Sequence, residues 1–162
     1  PDIYEPEETG KTFKENAMIK STFGFKFFGL PCFADDSGIC ISALNNLPGV
    51  KSKRFKIENG GFEKTFQIII NQTKIKKNYK AFFQTSIALT FDNHNSVCFD
   101  GIVFGKISDQ PLGSRGFHYD PIFIPDSANK TYAQMSKKEK NKISHRAIAL
   151  KKLKNFILNL ID

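Results

Sequence analysis

The spacing of apolar and polar residues predicts two helices in the first half of the chain. Thr12 and Glu15 have the spacing of a capping box, and apolar residues follow at helical intervals, which predicts a helix over residues 12–27. After the breaker at residues 59–61, a second helical pattern runs through residues 62–70. These two helices are expected to pack against the strands between and after them.

Two longer runs rich in aromatic and β-branched residues predict a β-hairpin. They cover residues 79–92 and 97–107, and residues 93–95 form the turn between them. Gly101 and Gly105 interrupt the second run. Glycine inside a strand indicates either a bulge or a place where backbone or ligand approaches closely.

Shorter segments complete the pattern. Residues 32–44 are predicted to form two short strands on either side of an Asp-Asp turn, and residues 117–125 a short aromatic strand. Ser136 with Glu139 indicates another helix start. A terminal helix is predicted from an apolar stripe that consists of Ala147, Leu150, Leu153, Phe156 or Ile157, and Leu160.

The order of these segments predicts an α/β (mixed α+β) fold. With 162 residues, the chain fits one domain, or two small lobes around a cleft. We expect residues 1–162 to form a single elongated, two-lobed domain. Its predicted parts are a central mixed sheet, the long hairpin, flanking helices and a cleft between the lobes.

The charge balance indicates an anionic partner. The chain has 24 Lys and Arg against 16 Asp and Glu, a net charge of +8, which suits either a nucleotide or a nucleic acid. The lysines are spread along the chain, and lysine clusters on helices are usually solvated surface. No nucleic-acid-binding motif is visible, so a basic nucleic-acid-binding module is kept only as an alternative.

The cysteines and the hydropathy pattern limit the class of protein further. Cys32, Cys40 and Cys98 lie in apolar runs without Cys-x-x-Cys spacing, so we expect reduced core residues rather than a zinc site. No apolar run is long enough to cross a bilayer, and no signal peptide opens the chain. We therefore expect a soluble, cytoplasmic protein.

The segment Asp35-Asp36-Ser37-Gly38 is the strongest candidate for chemistry. Paired carboxylates suit Mg²⁺, which binds through one or two carboxylates and bridges to substrate phosphates. The same residue types also favour an ordinary polar turn, so the tetrapeptide alone does not decide. Three further polar clusters beside apolar segments add weight, at residues 7–10, 117–121 and 144–146.

With these segments in place, the sequence resembles the inosine-triphosphate pyrophosphatase (Ham1-like) family. Members of that family hydrolyse non-standard purine nucleoside triphosphates to the monophosphate and pyrophosphate. Five blocks match in family order, which makes the resemblance specific. The blocks are Glu7-Glu8-Thr9-Gly10-x-Thr12-Phe13-x-Glu15-Asn16-Ala17, with Lys20 after it; Ala34-Asp35-Asp36-Ser37-Gly38; Pro48-Gly49-Val50-x-Ser52-x-Arg54; Gly116-Phe117-x-Tyr119-Asp120-Pro121-Ile122-Phe123; and Lys140-x-x-x-Ser144-His145-Arg146-x-x-Ala149-Leu150.

The resemblance implies a magnesium-dependent reaction. Glu8 and Asp36 would hold Mg²⁺, Asp36 would also accept the proton of the attacking water, and Lys20 would reach the triphosphate. Asp35 is either a further ligand or an acceptor for backbone N–H groups, and we favour the structural role, with an electrostatic contribution to the site. Ser37 is either a turn residue or a substrate contact.

The resemblance also implies where the base is recognised. Inosine and xanthine carry a keto oxygen where adenine has an amino group, so a hydrogen-bond donor at that place favours the former. Phe117 would stack on the purine, while Phe117 and Tyr119 are alternatively core aromatics. His145 and Arg146 are alternatively the polar start of the terminal helix. The predicted substrate-binding residues are Lys20, Ser37, Phe117, His118, Tyr119, Asp120, Lys140, His145 and Arg146.

Two departures from the family pattern qualify the implied activity. Family members open with a strand and a Ser/Thr-x-Asn-x-x-Lys loop that this sequence lacks, so we expect a domain truncated at its N-terminus. His118 stands where the family has Gly, and it must adopt a backbone suited to Gly or reshape the loop. The leading hypothesis is hydrolysis of inosine, deoxyinosine and xanthosine triphosphates (ITP, dITP, XTP) by a homodimer. The alternative is a catalytically impaired remnant that keeps the fold and nucleotide binding.

Overall fold

The computed structural model describes residues 5–93 and 95–161, and its centre is a single β-sheet. In that part of the chain the sheet has five strands in the order β2-β1-β3-β4-β5. Their bounds are Cys32–Ile41 for β1, Leu47–Pro48 for β2, Lys80–Thr90 for β3, Ser96–Ile107 for β4 and Phe123–Pro125 for β5. Five helices accompany them in the same residues: Phe13–Phe28 (α1), Ser52–Glu58 (α2), Phe62–Ile75 (α3), Lys137–Ile143 (α4) and His145–Ile161 (α5).

The predicted α/β class is confirmed, but the expected mixed sheet is not. Every strand pair in the described residues is antiparallel. Ile41, at the end of β1, pairs with Ala81, near the start of β3, so the connection through β2, α2 and α3 returns the chain to the same end of the sheet. The predicted hairpin is confirmed as β3 and β4; its turn includes residue 94, which lies outside the described residues.

Local sequence signals determine where α1 and α4 begin. The Thr12 Oγ1 atom accepts a hydrogen bond from the Glu15 N–H (3.1 Å), and the Glu15 carboxylate accepts one from the Thr12 N–H (3.3 Å). Ser136 and Glu139 make the same reciprocal pair at α4. Both capping boxes are confirmed, because each satisfies two backbone donors that a helix start leaves free.

The prediction of two short strands around an Asp-Asp turn is wrong. Residues 32–41 form one continuous strand, paired with β3 from Cys32 opposite Thr90 to Ile41 opposite Ala81. Pairing with a long central strand satisfies the backbone groups of Asp35 and Asp36 and outweighs the local turn preference of these residues.

The predicted aromatic strand over residues 117–125 is shorter than expected. Only Phe123–Pro125 is extended, and a 3₁₀ turn over Asp120–Ile122 precedes it. The Asp120 carboxylate accepts a hydrogen bond from the Phe117 N–H (2.9 Å), which closes a tight turn in place of strand pairing.

Gly101 and Gly105 mark close approaches rather than bulges. The register between β3 and β4 is uninterrupted through both residues. A Cβ atom at Gly101 would lie 1.9 Å from the His145 carbonyl oxygen, and one at Gly105 would lie 2.2 Å from the Ile124 carbonyl oxygen. Gly101 therefore lets the start of α5 rest directly on the sheet.

The core lies on one face of the sheet and under α5. The larger cluster includes Ile39, Ile41, Phe66, Ile69, Phe83 and Tyr132. The smaller cluster contains Ile87, Leu89, Ala149 and Leu153, with Phe156 against it.

The predicted apolar stripe of α5 is only partly correct. Leu153 and Phe156 face the sheet, but Leu150 and Leu160 are 41% and 63% exposed because the buried face turns through Ala149 instead.

The prediction that the cysteines are reduced core residues is only partly correct. All three cysteines are free; Cys40 is buried, while Cys32 and Cys98 are half-buried and so are not the full core residues expected. Among the helices in the described residues, none has the length and apolarity needed to cross a bilayer. The two-lobed outline stays a prediction.

Candidate active site

All of the residues predicted for the site line one cavity of about 360 Å³. They come from the loop before α1, α1 itself, β1, the loop before β5, α4 and α5, so chain segments far apart in sequence meet at one place. The residues are Glu8, Lys20, Asp36, Ser37, Phe117, His118, Tyr119, Asp120, Lys140, His145 and Arg146.

The acidic end of the cavity is formed by Glu8, Lys20 and Asp36. The Lys20 Nζ atom lies 2.7 Å from Glu8 Oε1 and 3.7 Å from Asp36 Oδ1. Asp36 is 8% exposed, whereas Glu8 is exposed. The ammonium group therefore stands between two carboxylates that converge on one point.

Asn16 holds this end together, and the sequence analysis did not assign it a role. Its Nδ2 atom donates to Asp36 Oδ2 (3.0 Å), and its Oδ1 atom accepts from the Gly10 N–H (2.8 Å). Asn16 thus ties the loop that carries Glu8 to the strand that carries Asp36. The available signal was its position one helical turn before Lys20, which puts both side chains on the same face of α1.

Burial makes Asp36 a stronger proton acceptor than an ordinary carboxylate. Desolvation raises the pKa of Asp36, while the hydrogen bond from Asn16 and the charge of Lys20 act in the opposite direction. The net shift is upward. A carboxylate with a raised pKa suits general-base chemistry near neutral pH.

The donor set at the acidic end fits Mg²⁺. Two carboxylates face a common point that a cationic nitrogen already occupies, and Mg²⁺ uses one or two carboxylates while keeping several waters. No group of three or more His, Cys, Asp or Glu side chains within residues 5–93 and 95–161 could form a fuller protein cage. The site therefore resembles those in which substrate phosphates complete the coordination.

Asp35 does not have the structural role expected in a turn, while its ion pair with Arg146 agrees with the expected electrostatic contribution. Its carboxylate accepts a hydrogen bond from Arg146 Nη2 (2.7 Å) and another from Ser37 Oγ (3.0 Å), rather than from backbone N–H groups of a turn. Ser37 also shares a hydrogen bond with Thr85 Oγ1 (2.7 Å). The turn interpretation of both residues is wrong because they lie inside β1, where alternate side chains share a face.

The opposite end of the cavity is built around buried Asp120. Its carboxylate accepts from the Phe117 N–H (2.9 Å) and from Lys140 Nζ. Tyr119 is buried in the larger core cluster, and its hydroxyl donates to the Ser52 carbonyl oxygen (2.9 Å), so the core-aromatic alternative applies to it. Phe117 is 54% exposed, so that alternative does not apply there.

His145 and Arg146 belong to the cavity wall rather than to a solvated helix start. The His145 ring is buried and stacks on Phe83 with 4.7 Å between ring centroids. Burial, followed by the charges of Lys140 and Arg146, lowers the pKa of His145 to about 3, so the imidazole is neutral at neutral pH. Its Nδ1 atom is buried without a hydrogen-bond partner among the described residues.

His118 adopts the backbone that the sequence analysis anticipated for a residue in a glycine position. Its φ angle is +57°, in the left-handed region. Its ring lies between Phe62 and Phe117, with centroid distances of 5.7 and 5.1 Å. The loop therefore keeps its shape, and the imidazole becomes part of the cavity wall.

Comparison with known proteins identifies the family of the chain that forms this cavity. A model of the Ham1 family matches residues 1–156. The chain belongs to the Ham1 family. The resemblance deduced from the sequence blocks is thereby confirmed.

Individual relatives in the Ham1 family match most of the chain. A dITP/XTP pyrophosphatase of Porphyromonas gingivalis is 40% identical over 93% of this chain and 78% of its own length. A dITP/XTP pyrophosphatase of Thermoanaerobacter pseudethanolicus is 42% identical over 96% of this chain and 79% of its own length. The structure of the Ham1 protein of Staphylococcus aureus superposes with a TM-score of 0.89, at 38% identity, over 96% of this chain and 81% of that one.

The Ham1 cavity has a further wall that the sequence analysis did not foresee. The residues that line it, from α2 and α3, are Ser52, Lys53, Lys56 and Phe62. Ser52 lies in a block that matched the family, whereas Phe62 looked like any apolar residue at a helix start. No local signal distinguishes a wall residue of this kind from a core residue.

A second, larger cavity of about 840 Å³ adjoins the first in this Ham1 chain. The two share Phe117, Lys140, His145 and Arg146. Among the described residues that line the larger cavity, the charged ones are all basic: Arg115, Lys137, Lys140, Arg146, Lys151 and Lys154. The surroundings of the aromatic end therefore favour an anionic ligand.

Proposed function

We propose that this protein hydrolyses ITP, dITP and XTP to the monophosphate and pyrophosphate, and so removes non-standard purine nucleotides. One observation carries the proposal: a single cavity has two converging carboxylates with a lysine at one end and an exposed aromatic ring among basic side chains at the other. Relatives about 40% identical over most of the chain are named dITP/XTP pyrophosphatases, which supports the same assignment.

Mg²⁺ is the proposed cofactor, with Glu8 and Asp36 as its protein ligands. A bound Mg²⁺ would acidify a water molecule and offset negative charge on the phosphate oxygens. The remaining work falls to the chain. Asp36 accepts the proton at a carboxylate whose pKa is raised by burial, Asn16 fixes that carboxylate through one oxygen, and Lys20 supplies positive charge for the triphosphate.

The aromatic end would recognise the purine. The exposed Phe117 ring offers a stacking surface, with Lys140 Nζ 4.4 Å and Arg146 Cζ 5.9 Å from its centroid. Arg146 and Lys140 only donate hydrogen bonds, so they can donate to the keto oxygen of hypoxanthine or xanthine. The amino group of adenine would leave such a donor unpaired, which disfavours ATP.

The direct test is pyrophosphate release from ITP by the purified chain with Mg²⁺, with ATP as the comparison substrate. We expect the parent to release pyrophosphate from ITP and, much more slowly, from ATP, and Asp36→Asn to release it from ITP about 10³-fold more slowly than the parent. Binding of ITP without release would instead support the catalytically impaired remnant. No nucleotide binding, together with salt-sensitive and Mg²⁺-independent binding to polynucleotide, would support the nucleic-acid-binding module.

The homodimer and the cytoplasmic location belong to the same proposal. The homodimer rests on the family resemblance, and the cytoplasmic location rests on the hydropathy pattern of the sequence. Sedimentation of the purified chain measures the first, and fractionation of the source cells measures the second.

A further inference from the structure

His118 is held in a conformation that an ordinary side chain avoids. Its φ angle is +57°, and that of Gly116, two residues earlier, is +76°, so the backbone here suits glycine. The family pattern has glycine at the position of His118. A residue that keeps this strained backbone and adds a ring needs contacts that offset the strain.

The contacts of the imidazole join the protein core to the exposed ring of Phe117. Phe62 lies 5.7 Å from the His118 ring centroid and packs in turn on Phe66 and Tyr119, each at 5.6 Å. On its other side, His118 meets Phe117 in an edge-to-face arrangement at 5.1 Å and 88°. Phe62, His118 and Phe117 therefore form a row of rings from the core to the exposed side of the cavity.

Phe117 has little else to fix its orientation. Its backbone N–H is held by Asp120, but its side chain is 54% exposed. Among the described residues, His118 is the one aromatic ring that contacts it, and the other close groups are the long cationic side chains of Lys140 and Arg146. The Lys140 and Arg146 side chains are each held by a carboxylate and meet the Phe117 ring through one charged end. The imidazole packs against that ring with a whole ring of its own, so it fixes the orientation more firmly.

We propose that His118 is a positioning residue that fixes the Phe117 ring for stacking on the purine. The inference rests on the proposed function, in which Phe117 stacks on the base. A ring ordered before the ligand arrives does not have to be ordered on binding, so the benefit lies in affinity rather than in the chemical step.

Three variants separate positioning from a general structural effect. His118→Gly removes the ring and the backbone strain, and we expect KM for ITP to rise about three- to tenfold while kcat stays within about twofold. Its thermal midpoint should be no lower than that of the parent, because glycine adopts the left-handed backbone freely. His118→Phe keeps a ring but strains the backbone further, and we expect a lower midpoint with KM within about twofold of the parent.

The third variant is Phe117→Ala, alone and combined with His118→Gly. If His118 acts through Phe117, the double variant should have nearly the KM of Phe117→Ala alone. Additive effects in this cycle would overturn the proposal. So would a KM that follows thermal stability across the series, because that result indicates a structural role only.

Aromatic NMR of the ligand-free protein tests the positioning without any reaction. With the Phe117 resonances assigned from Phe117→Ala, we expect the nuclear Overhauser contacts between the Phe117 ring and the Lys140 side chain to weaken in His118→Gly and to persist in His118→Phe. Unchanged contacts in His118→Gly would overturn the proposal. If the parent released no pyrophosphate, the proposed function would fail, while these spectra would still decide the role of His118.

Discussion

The two ends of the cavity are constructed in different ways. At the acidic end, a helix and a strand hold Lys20 and Asp36, and Asn16 links them through side-chain hydrogen bonds. At the aromatic end, a loop without regular structure presents Phe117, and one buried carboxylate, Asp120, closes that loop. At the acidic end, Lys20 and Asp36 are fixed by regular structure and only Glu8 lies in a loop, whereas Phe117 depends on a few contacts around its loop.

We expect substitutions at the acidic end to lower the rate of the reaction and not the stability of the fold. Asp36→Asn should lower kcat by about 10³-fold, because the amide cannot accept a proton. Its stability should stay close to that of the parent, since the new amide oxygen still accepts from Asn16. Pyrophosphate release and urea unfolding measure the two effects. Retention of a tenth of the activity would contradict the role given to Asp36.

At the aromatic end, we expect substitutions to lower the stability of the fold first. Asp120→Asn removes the charge that pairs with buried Lys140 Nζ, and we expect a loss of about 3 kcal/mol in the free energy of unfolding. The exposed Asp126, changed to Asn, is the matched control and should leave stability nearly unchanged. Urea titrations of both variants make the comparison, and equal effects would remove the special role of Asp120.

A pH titration sharpens the contrast, because His145 lies at the start of α5, between the two ends. The pKa of folded His145 is about 3, below the ordinary value of 6.5, so its contribution to stability is complete above pH 6.5 and is lost as the pH falls toward 3. We expect this residue to account for about 2 kcal/mol of the stability lost between pH 7 and pH 5. His145→Gln should show a flatter profile over that interval in urea unfolding. Identical slopes for parent and variant would show that His145 does not stay neutral in the fold.

The smallest expected effect is that of Lys20. It tests how far the acidic end is arranged before Mg²⁺ binds. Its ammonium neutralises Glu8 and Asp36 at the position a divalent ion would take. Lys20→Met should therefore bind Mg²⁺ about tenfold more tightly in the absence of nucleotide, since the competing charge is gone. The control is Lys26→Met, an exposed lysine on the same helix. Calorimetric titration with Mg²⁺ that gives equal affinities for all three proteins would mean that the lysine and the ion do not compete.

Signals confined to a few residues predicted the fold well, and contacts between distant segments explain the errors. The capping pairs at Thr12 and Ser136 predicted the helix starts, because both partners lie within one turn. The turn expected at Asp35 was wrong, because pairing with β3 decides the backbone there and β3 lies far along the chain. Local preference is a weak guide wherever a central strand offers a complete ladder.

The site was predicted through blocks of sequence, and its supporting contacts were not. Glu8 and Asp36 could be named from their matching blocks, but the role of Asn16 requires knowing that Gly10 and Asp36 meet across it. The sequence did not predict Phe62 as a cavity residue, because nothing in the residues around it distinguishes a helix start that faces a cavity from one that faces the core. Side-chain direction is a property of the assembled fold.

Gly101, in the hairpin, determines how closely the start of α5 approaches the sheet and so where Arg146 lies. The smallest side chain at that position would collide with the backbone of His145 and Ala149, so it would push α5 outward and carry Arg146 away from Asp35. A saturation mutagenesis library should therefore score Gly101 as intolerant, although it binds nothing itself. A lineage that drifted to alanine there would first have to acquire a compensating shift elsewhere, which makes this position a barrier to gradual divergence.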